Sequence, residues 1–455
     1  MPMPANLTLD QLSNAVDAGE IDTVLTCVTD MQGRLVGKRF HARHFLDSAH
    51  RETHGCNYLL AVDVDMTPVP GYRSASWEQG YGDYVHKPDL ATLRRAGWES
   101  GTAMVMCDLL DHHGELVPIA PRSVLKRQVE RARALGFEPM MATELEFYLF
   151  EESFATLWDQ GYRRMTPVVR YNNDYGIFGT LKEEAVMRPL RNALHASGIP
   201  VENTKGEADA GQHEVNIRYS DALDTADMHV IVKTATKAAA QAAGHSVTFM
   251  AKYATDRAGS SSHIHQSLWR DGRNAFRDEK GGHGMSEIMR RYLAGLLAHA
   301  DATTLFLAPY VNSYKRFTVG LFAPTRAVWS RDNRTAGYRL CGEGTGAIRI
   351  ECRVGGADLN PYLALAAQLA AGLDGIEKGL ELEPELSGDM YRAENARRIP
   401  ATLREAAEAA RRSDMLREAF GAEVVEHYHR AALWEISECD RVVTDWDLRR
   451  GFERL

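Results

Sequence analysis

The chain has no long run of basic residues, and no apolar stretch long enough and free enough of charge to span a bilayer. With a formal net charge of -9, the first absence argues against a nucleic-acid partner. The second argues against a membrane protein. Cysteine is scarce: six residues, at 27, 56, 107, 341, 352 and 439, with no CxxC pair and no regular spacing. Scattered reduced thiols in a cytoplasmic protein account for that pattern. The start, MPMPANLTLDQL, lacks the basic-then-apolar order of a secretion signal, and the chain has no repeats or low-complexity tracts. What remains is ordinary. A length of 455 residues, 44% hydrophobic and 25% charged, describes a soluble globular protein with room for more than one domain.

Four stretches alternate apolar residues with residues that bind metal or phosphate. They are Glu144-Leu145-Glu146-Phe147-Tyr148, Glu214-Val215-Asn216-Ile217-Arg218, Ser262-His263-Ile264-His265-Gln266-Ser267 and Arg349-Ile350-Glu351-Cys352-Arg353. Residues two apart on a β-strand share a face, so each stretch reads as a strand with an apolar back and a chemical front. A merely wet sheet face also alternates, but it is usually filled with Thr, Ser, Lys and Gln. Crowded carboxylates repel, and one would be driven to protonate unless a cation were present. Taken together, the four strands predict one floor built around divalent metal.

Around them, Asp22 to Val28, Arg34 to Lys38 and Thr102 to Cys107 read as strands, with a turn at Met31-Gln32-Gly33. Thr67 to Leu93 has no clear period and reads as a long functional loop. Helices are predicted over Ser123 to Leu135, stopped by Gly136, and over Thr225 to Ala243, stopped by Gly244. Asn360-Pro361 reads as a cap and first turn opening a helix to Leu373. Thr402 to Phe420 and Val424 to Glu438 are two more. Helices against the apolar backs of antiparallel strands make an α+β protein.

In chain order, the motifs Glu144-Leu145-Glu146-Phe147, Gly211-Gln212-His213-Glu214, Ser262-His263-Ile264-His265-Gln266-Ser267, Asn312-Ser313-Tyr314-Lys315-Arg316, Asn333-Arg334, Arg349-Ile350-Glu351-Cys352-Arg353, Asn360-Pro361-Tyr362-Leu363 and Val443-Thr444-Asp445-Trp446 resemble the glutamine synthetase family. The resemblance implies a small N-terminal β-grasp domain, 1–115, and a catalytic domain, 116–455, whose curved antiparallel sheet forms a funnel. It implies a homo-oligomer of stacked rings, commonly dodecamers, with sites between neighbouring subunits; hexamer and dodecamer both stay open. It also implies ATP and two or more Mg²⁺ or Mn²⁺ ions. One ion would be held by Glu146, Glu207 and Glu214, with Asp209 as the alternative to Glu207. The other would be held by Glu144, His263 and Glu351. By the same resemblance Arg334 and Arg349 face the ATP phosphates, Arg339 the transferred group, and His265 and Ser267 the nucleotide. Arg316, Arg353 and the Gly259 backbone would hold L-glutamate. Such parts suit phosphoryl transfer onto a carboxylate, where metals and arginines offset the repulsion between two anions.

Three departures concern the amine. Family members that use ammonia carry a Glu before an Ala-Pro in a loop over the site, and here Phe322 takes that place in Gly320-Leu321-Phe322-Ala323-Pro324. The N-terminal loop, Pro68 to Trp77, has no carboxylate where the family has Asp. Ala258 and Gly346 replace an Asn and a Lys of the family pattern. The expected acceptor is therefore an organic amine with an apolar part, packed near Phe322 and either Tyr72 or Trp77, with Asp63, Asp65 or Glu78 as proton acceptors for an alkylamine. The expected product is a γ-glutamylamide. An ordinary ammonia-using enzyme and a non-catalytic family member are the competing readings. Tyr391 reads as a plain loop tyrosine.

Overall fold

A computed structural model describes residues 6–455. The first five residues, part of the segment read as lacking a secretion signal and of the expected N-terminal domain, lie outside the described residues. The Thr8 hydroxyl accepts from Gln11 N while the Gln11 side chain accepts from Thr8 N, a capping box that starts helix Leu9–Asp17. The β-rich reading of this region missed that helix. It buries Leu12, Ala15 and Val16 against Val24, Ala103 and Val105.

Those last three belong to a six-stranded sheet: β1 (Thr23–Thr29), β2 (Leu35–His41), β3 (Thr53–Cys56), β4 (Asp83–Pro88), β5 (Arg94–Arg95) and β6 (Thr102–Leu110). The order is β2-β1-β6-β4-β3, with β5 beside β6 and β1 parallel to β6. The segment expected to be irregular up to Leu93 is so only as far as Gly82. From Asp83 it forms β4, held between β3 and β6.

The second sheet has ten strands: β7 (Glu138–Phe150), β8 (Val201–Gly206), β9 (Gln212–Ile217), β10 (Ser220–Asp221), β11 (Ser246–Thr248), β12 (Ser262–Arg270), β13 (Arg273–Asn274), β14 (Trp329–Arg331), β15 (Tyr338–Cys341) and β16 (Arg349–Cys352). Its main path is β14-β15-β16-β12-β7-β9-β8, and all its ladders are antiparallel except β14 with β15. The expected curved antiparallel sheet is present, with one short parallel pair at that edge. The back of β7, with Leu145, Phe147 and Leu149, shares one apolar core with Val215 and Ile264. Helix Ala222–Ala242 packs on that back, where Thr225 Oγ1 donates to Met141 O at 2.9 Å.

Helices Pro121–Ala134 and Pro361–Glu377 start at prolines that need no donor there. The second runs beyond Leu373 because its Ala- and Leu-rich faces are buried nearly all round. The single helix expected over Thr402 to Phe420 is two, Leu403–Arg412 and Asp414–Phe420. Ser413 takes an extended conformation between them and caps the second. Tyr391 lies in a single helical turn, Met390–Arg392, within the irregular segment that follows helix Pro361–Glu377.

The two sheets are joined by a buried ion network. Arg122, 5% exposed, donates to Asp89 at 2.8 Å just after β4, to Asp108 at 2.6 Å on β6, and to Asp227 at 3.1 and 3.0 Å on helix Ala222–Ala242. The Tyr362 hydroxyl also donates to Asp227, at 2.5 Å. Nearby, Asn360 Nδ2 donates to Asp30 O and Met31 O, both at 3.1 Å. The turn approaches so closely that a Cβ on Gly33, whose φ is +78°, would lie 3.0 Å from Asn360 Cα.

Candidate active site

Strand register builds the site. In antiparallel ladders, directly opposed residues point to the same face. Lys205 opposes Glu214, and Glu214 opposes Glu146, so one row crosses β8, β9 and β7. A second row runs Asn216, Glu144, His263 across β9, β7 and β12. A third runs His265, Glu351, Arg339 across β12, β16 and β15. A one-residue slip on any strand would send its charged front into the core.

Ligand atoms of Glu146, Glu207 and Glu214 all lie within 4.8 Å of one another. Glu146 Oε2 accepts from Ser261 N at 2.7 Å and Gln212 Nε2 at 3.1 Å. Glu214 Oε1 accepts from Asn216 Nδ2 at 2.9 Å. Burial, then the charge of Glu207, pushes Glu146 up to about 7. Burial, then Glu144, Glu146 and Glu207, pushes Glu214 up to about 9. Carboxylates under this strain are relieved by a divalent cation, and an all-oxygen set fits Mg²⁺ or Mn²⁺. Asp209 is engaged elsewhere. It accepts from Ala258 N at 2.7 Å, Ala210 N at 2.6 Å, Tyr148 Oη at 2.9 Å and Arg257 at 3.0 Å. Of the two alternatives, it is Glu207 that reaches the cluster.

Ligand atoms of Glu144, His265 and Glu351 form a second group within 4.8 Å. His263 stands there too, its Nδ1 3.0 Å from Glu144 and 3.4 Å from Glu351. Burial would raise Glu144, but His263 and His265 outweigh it and hold the carboxylate well below its usual range. Glu351 is likewise lowered, to about 2, by Arg353 and the imidazoles against the opposing effect of burial. The histidines differ in proton placement. Arg349 Nε donates to His265 Nδ1 at 3.0 Å, so the His265 proton sits on Nε2 and points to Glu144 Oε1 at 2.7 Å. That tautomer has no lone pair for an ion at Nε2. His263, kept neutral by burial, faces Glu144 and Glu351 through Nδ1, so its proton sits there and must move to the unpartnered Nε2 before Nδ1 can take an ion.

The arginines divide between floor and rim. Arg339 donates to Glu351 at 3.0 Å and to Asp332. Arg353 donates to Glu351 at 2.5 Å and to Arg334 O at 3.1 Å. The Arg334 side chain is exposed at the rim. Arg316 is 1% exposed and gives four of its five N–H bonds to Ser261 Oγ, Val354 O and Arg353 O. It braces the wall and keeps one Nη1 hydrogen. Gly259 lets it pack there, since a Cβ would lie 2.4 Å from Arg316 Cγ. His265, Ser267 and Arg349 line a cavity of about 460 Å³ together with Glu144 and Asn216. Tyr219 and Trp269 add an aromatic wall, their rings 6.0 Å apart and tilted by 27°. Gly346 borders the same cavity, with open space where a side chain would be.

Phe322 is 56% exposed and has a φ of 55°, a conformation unusual for a bulky residue. Tyr72 is 6% exposed, packs on His427 with ring centroids 4.3 Å apart, and borders a cavity with Val62, Asp63, Val69 and Trp434. Trp77 is exposed, at 78%. Asp63 holds its own loop by accepting from Asp65 N, Thr67 N and Trp434 Nε1. Sequence reasoning missed Lys205, Ser261, Tyr219 and Trp269. Lys205 was detectable, because it shares a strand face with Asn203 by the period-2 rule.

Residues 118–451 match the family described as glutamine synthetase, catalytic domain. The chain is 49% identical over 451 residues to the gamma-glutamylethanolamide synthetase GlnA4 of Streptomyces coelicolor, spanning 99% of this chain and 96% of that protein. It is 36% identical over 439 residues to the glutamate–isopropylamine ligase of a Pseudomonas species, 96% of each. The solved GmaS/ADP complex superposes with a TM-score of 0.85 at 27% identity, over 97% of this chain and 99% of that one. Enzymes of this family use ATP and divalent metal ions. From its ordered motifs to its sheet, the chain belongs to the glutamine synthetase family.

Proposed function

We propose that this protein joins the γ-carboxylate of L-glutamate to a small organic amine, giving a γ-glutamylamide, ADP and phosphate. The carrying observation is Phe322, exposed where ammonia-using relatives hold a carboxylate, in a loop that from Phe317 to Val328 has no Asp or Glu. The names of two relatives, an ethanolamide synthetase and an isopropylamine ligase, support the same reading.

A glutamate γ-carboxylate oxygen attacks the γ-phosphorus of ATP, and the bond from that phosphorus to ADP breaks. The amine nitrogen then attacks the acyl carbon of the resulting γ-glutamyl phosphate. The nitrogen loses a proton, the carbon–oxygen bond breaks, and phosphate departs. Arg353 and the last donor of Arg316, beside Gly259, hold the substrate carboxylates. Arg334 and Arg349 face the triphosphate, Arg339 the transferred group, and His265, Ser267, Tyr219 and Trp269 border the nucleotide cavity. Glu146, Glu207 and Glu214 would hold one divalent ion, and Glu144, His263 and Glu351 the other; when bound, Mg²⁺ or Mn²⁺ would screen the charge that keeps carboxylate and triphosphate apart. Phe322 offers an apolar face to the carbon part of the amine, and its ring attracts an ammonium only weakly.

The reading extends to the whole chain: an N-terminal domain ending near residue 115, stacked-ring hexamers or dodecamers, and a cytoplasmic location. Glutamate- and ATP-dependent phosphate release, measured with ammonium, ethanolamine and isopropylamine, tests the acceptor. An organic amine is expected to give the highest kcat/KM. Ammonium as the best acceptor would restore the ordinary glutamine synthetase reading.

A further inference from the structure

Lys205 belongs to none of the motifs that identify the family, yet its ammonium sits at the three-carboxylate cluster. It is paired with Glu207 and lies 3.1 Å from Asp174, with its charge 4.3 Å above the Tyr175 ring centroid. Its place is fixed by register, because it opposes Glu214 directly across β8 and β9. Its side chain is only 18% exposed. Among the described residues, Lys205 is the one cationic side chain paired with this cluster. Glu146 and Glu214 take only neutral donors.

We propose that Lys205 is a built-in counter-ion that holds Glu207 in the ion-free enzyme and must yield that carboxylate when a divalent cation enters. This rests on the three carboxylates receiving such an ion. Two effects share one sign. A lysine bound to Glu207 competes with the ion for a ligand oxygen, and a fixed positive charge beside the cluster repels the incoming dication. Its removal leaves the ion-free cluster with uncompensated repulsion, which also favours ion entry. The Asp174 carboxylate and the Tyr175 face give the ammonium a place to stay after release, so the exchange needs no exposure of the charge to bulk water. Lys205 is therefore a positioning residue for Glu207.

The test compares Mn²⁺ binding to the full chain, without nucleotide or glutamate, in wild type, Lys205→Met, Lys205→Gln and Lys205→Arg. Calorimetry gives the affinity, and thermal unfolding gives the Mn²⁺-induced rise in Tm. The neutral variants are expected to bind Mn²⁺ more tightly by on the order of tenfold, with a larger Tm rise, while Lys205→Arg stays near wild type. Unchanged or weaker binding in the neutral variants would overturn the proposal. So would failure of both to fold with and without Mn²⁺, which assigns Lys205 to the fold alone. Absence of Mn²⁺ binding in wild type would instead overturn the metal site itself.

Discussion

At the residue scale the site is a problem in charge. Glu214 is raised from an ordinary 4.5 to about 9, chiefly by burial and then by three neighbouring carboxylates. A carboxylate with a raised folded pKa contributes stability that is fully present below its unfolded value and is lost as pH climbs to the folded one. In ion-free protein, Glu214→Gln should therefore match wild type near pH 4.5 and become progressively more stable than it toward pH 9. The gap should widen by at most about 1.4 kcal/mol per pH unit. Denaturant melts at several pH values check this, and a gap that is flat or closes with pH would contradict it. The same linkage makes ions and protons compete. Mn²⁺ affinity should rise between pH 6 and 9 with proton release, seen as a dependence of the binding heat on the buffer's ionisation enthalpy. At this scale the sequence was most legible. Paired Glu and spaced His on period-2 strands are chemically unusual, and the strands place them as that spacing requires. The Glu207 and Asp209 choice was not legible, because it depends on Tyr148 and the Ala258 amide reaching Asp209 from distant parts of the chain.

At the scale of elements, the proposed acceptor site lies in the loop after Arg316, and the helix–sheet junction holds the frame. Phe322 has a φ of 55°, so Phe322→Glu exchanges one side chain for another at equal backbone strain. It should raise kcat/KM for ammonium relative to isopropylamine by roughly 100-fold, the lower end of the range for placing one general base. A fall in that ratio would remove Phe322 from the amine site. At the junction, Arg122→Met leaves Asp89, Asp108 and Asp227 without their shared partner. A loss of about 3–5 kcal/mol is expected for breaking such a buried network, measured by denaturant unfolding. A loss below 1 kcal/mol would show that the network adds little. Sequence periodicity located the long helices but not their ends. Ser413 breaks one predicted helix by capping another, and Thr8 starts a helix ahead of the β-branched run that begins at Thr23. The packing of Tyr72 was not legible either: its partner, His427, is over three hundred residues away, and a sequence gives no sign of that contact.

At the scale of the whole molecule, apolar side chains stand exposed at both the N-terminal loop and the C-terminal helix. Trp77 is 78% exposed, Trp446 63% and Phe452 83%. Surfaces of this kind mark contacts between chains, in keeping with the proposed rings. Sedimentation should give six or twelve times the chain mass, and a monomer would contradict the ring assembly. The order of motifs made the family legible across nearly the full length. The β14–β15 parallel pair was not, since two very short strands carry no periodic signal. The central claim is that carboxylates and imidazole from β7, β9, β12 and β16, joined by Glu207 from the segment between β8 and β9, converge on two divalent ions. Anomalous diffraction from crystals grown with Mn²⁺ and a non-hydrolysable ATP analogue tests it most directly. Two manganese peaks are predicted, one among Glu146, Glu207 and Glu214 and one among Glu144, His263 and Glu351. Occupied nucleotide with no manganese at either cluster would contradict it.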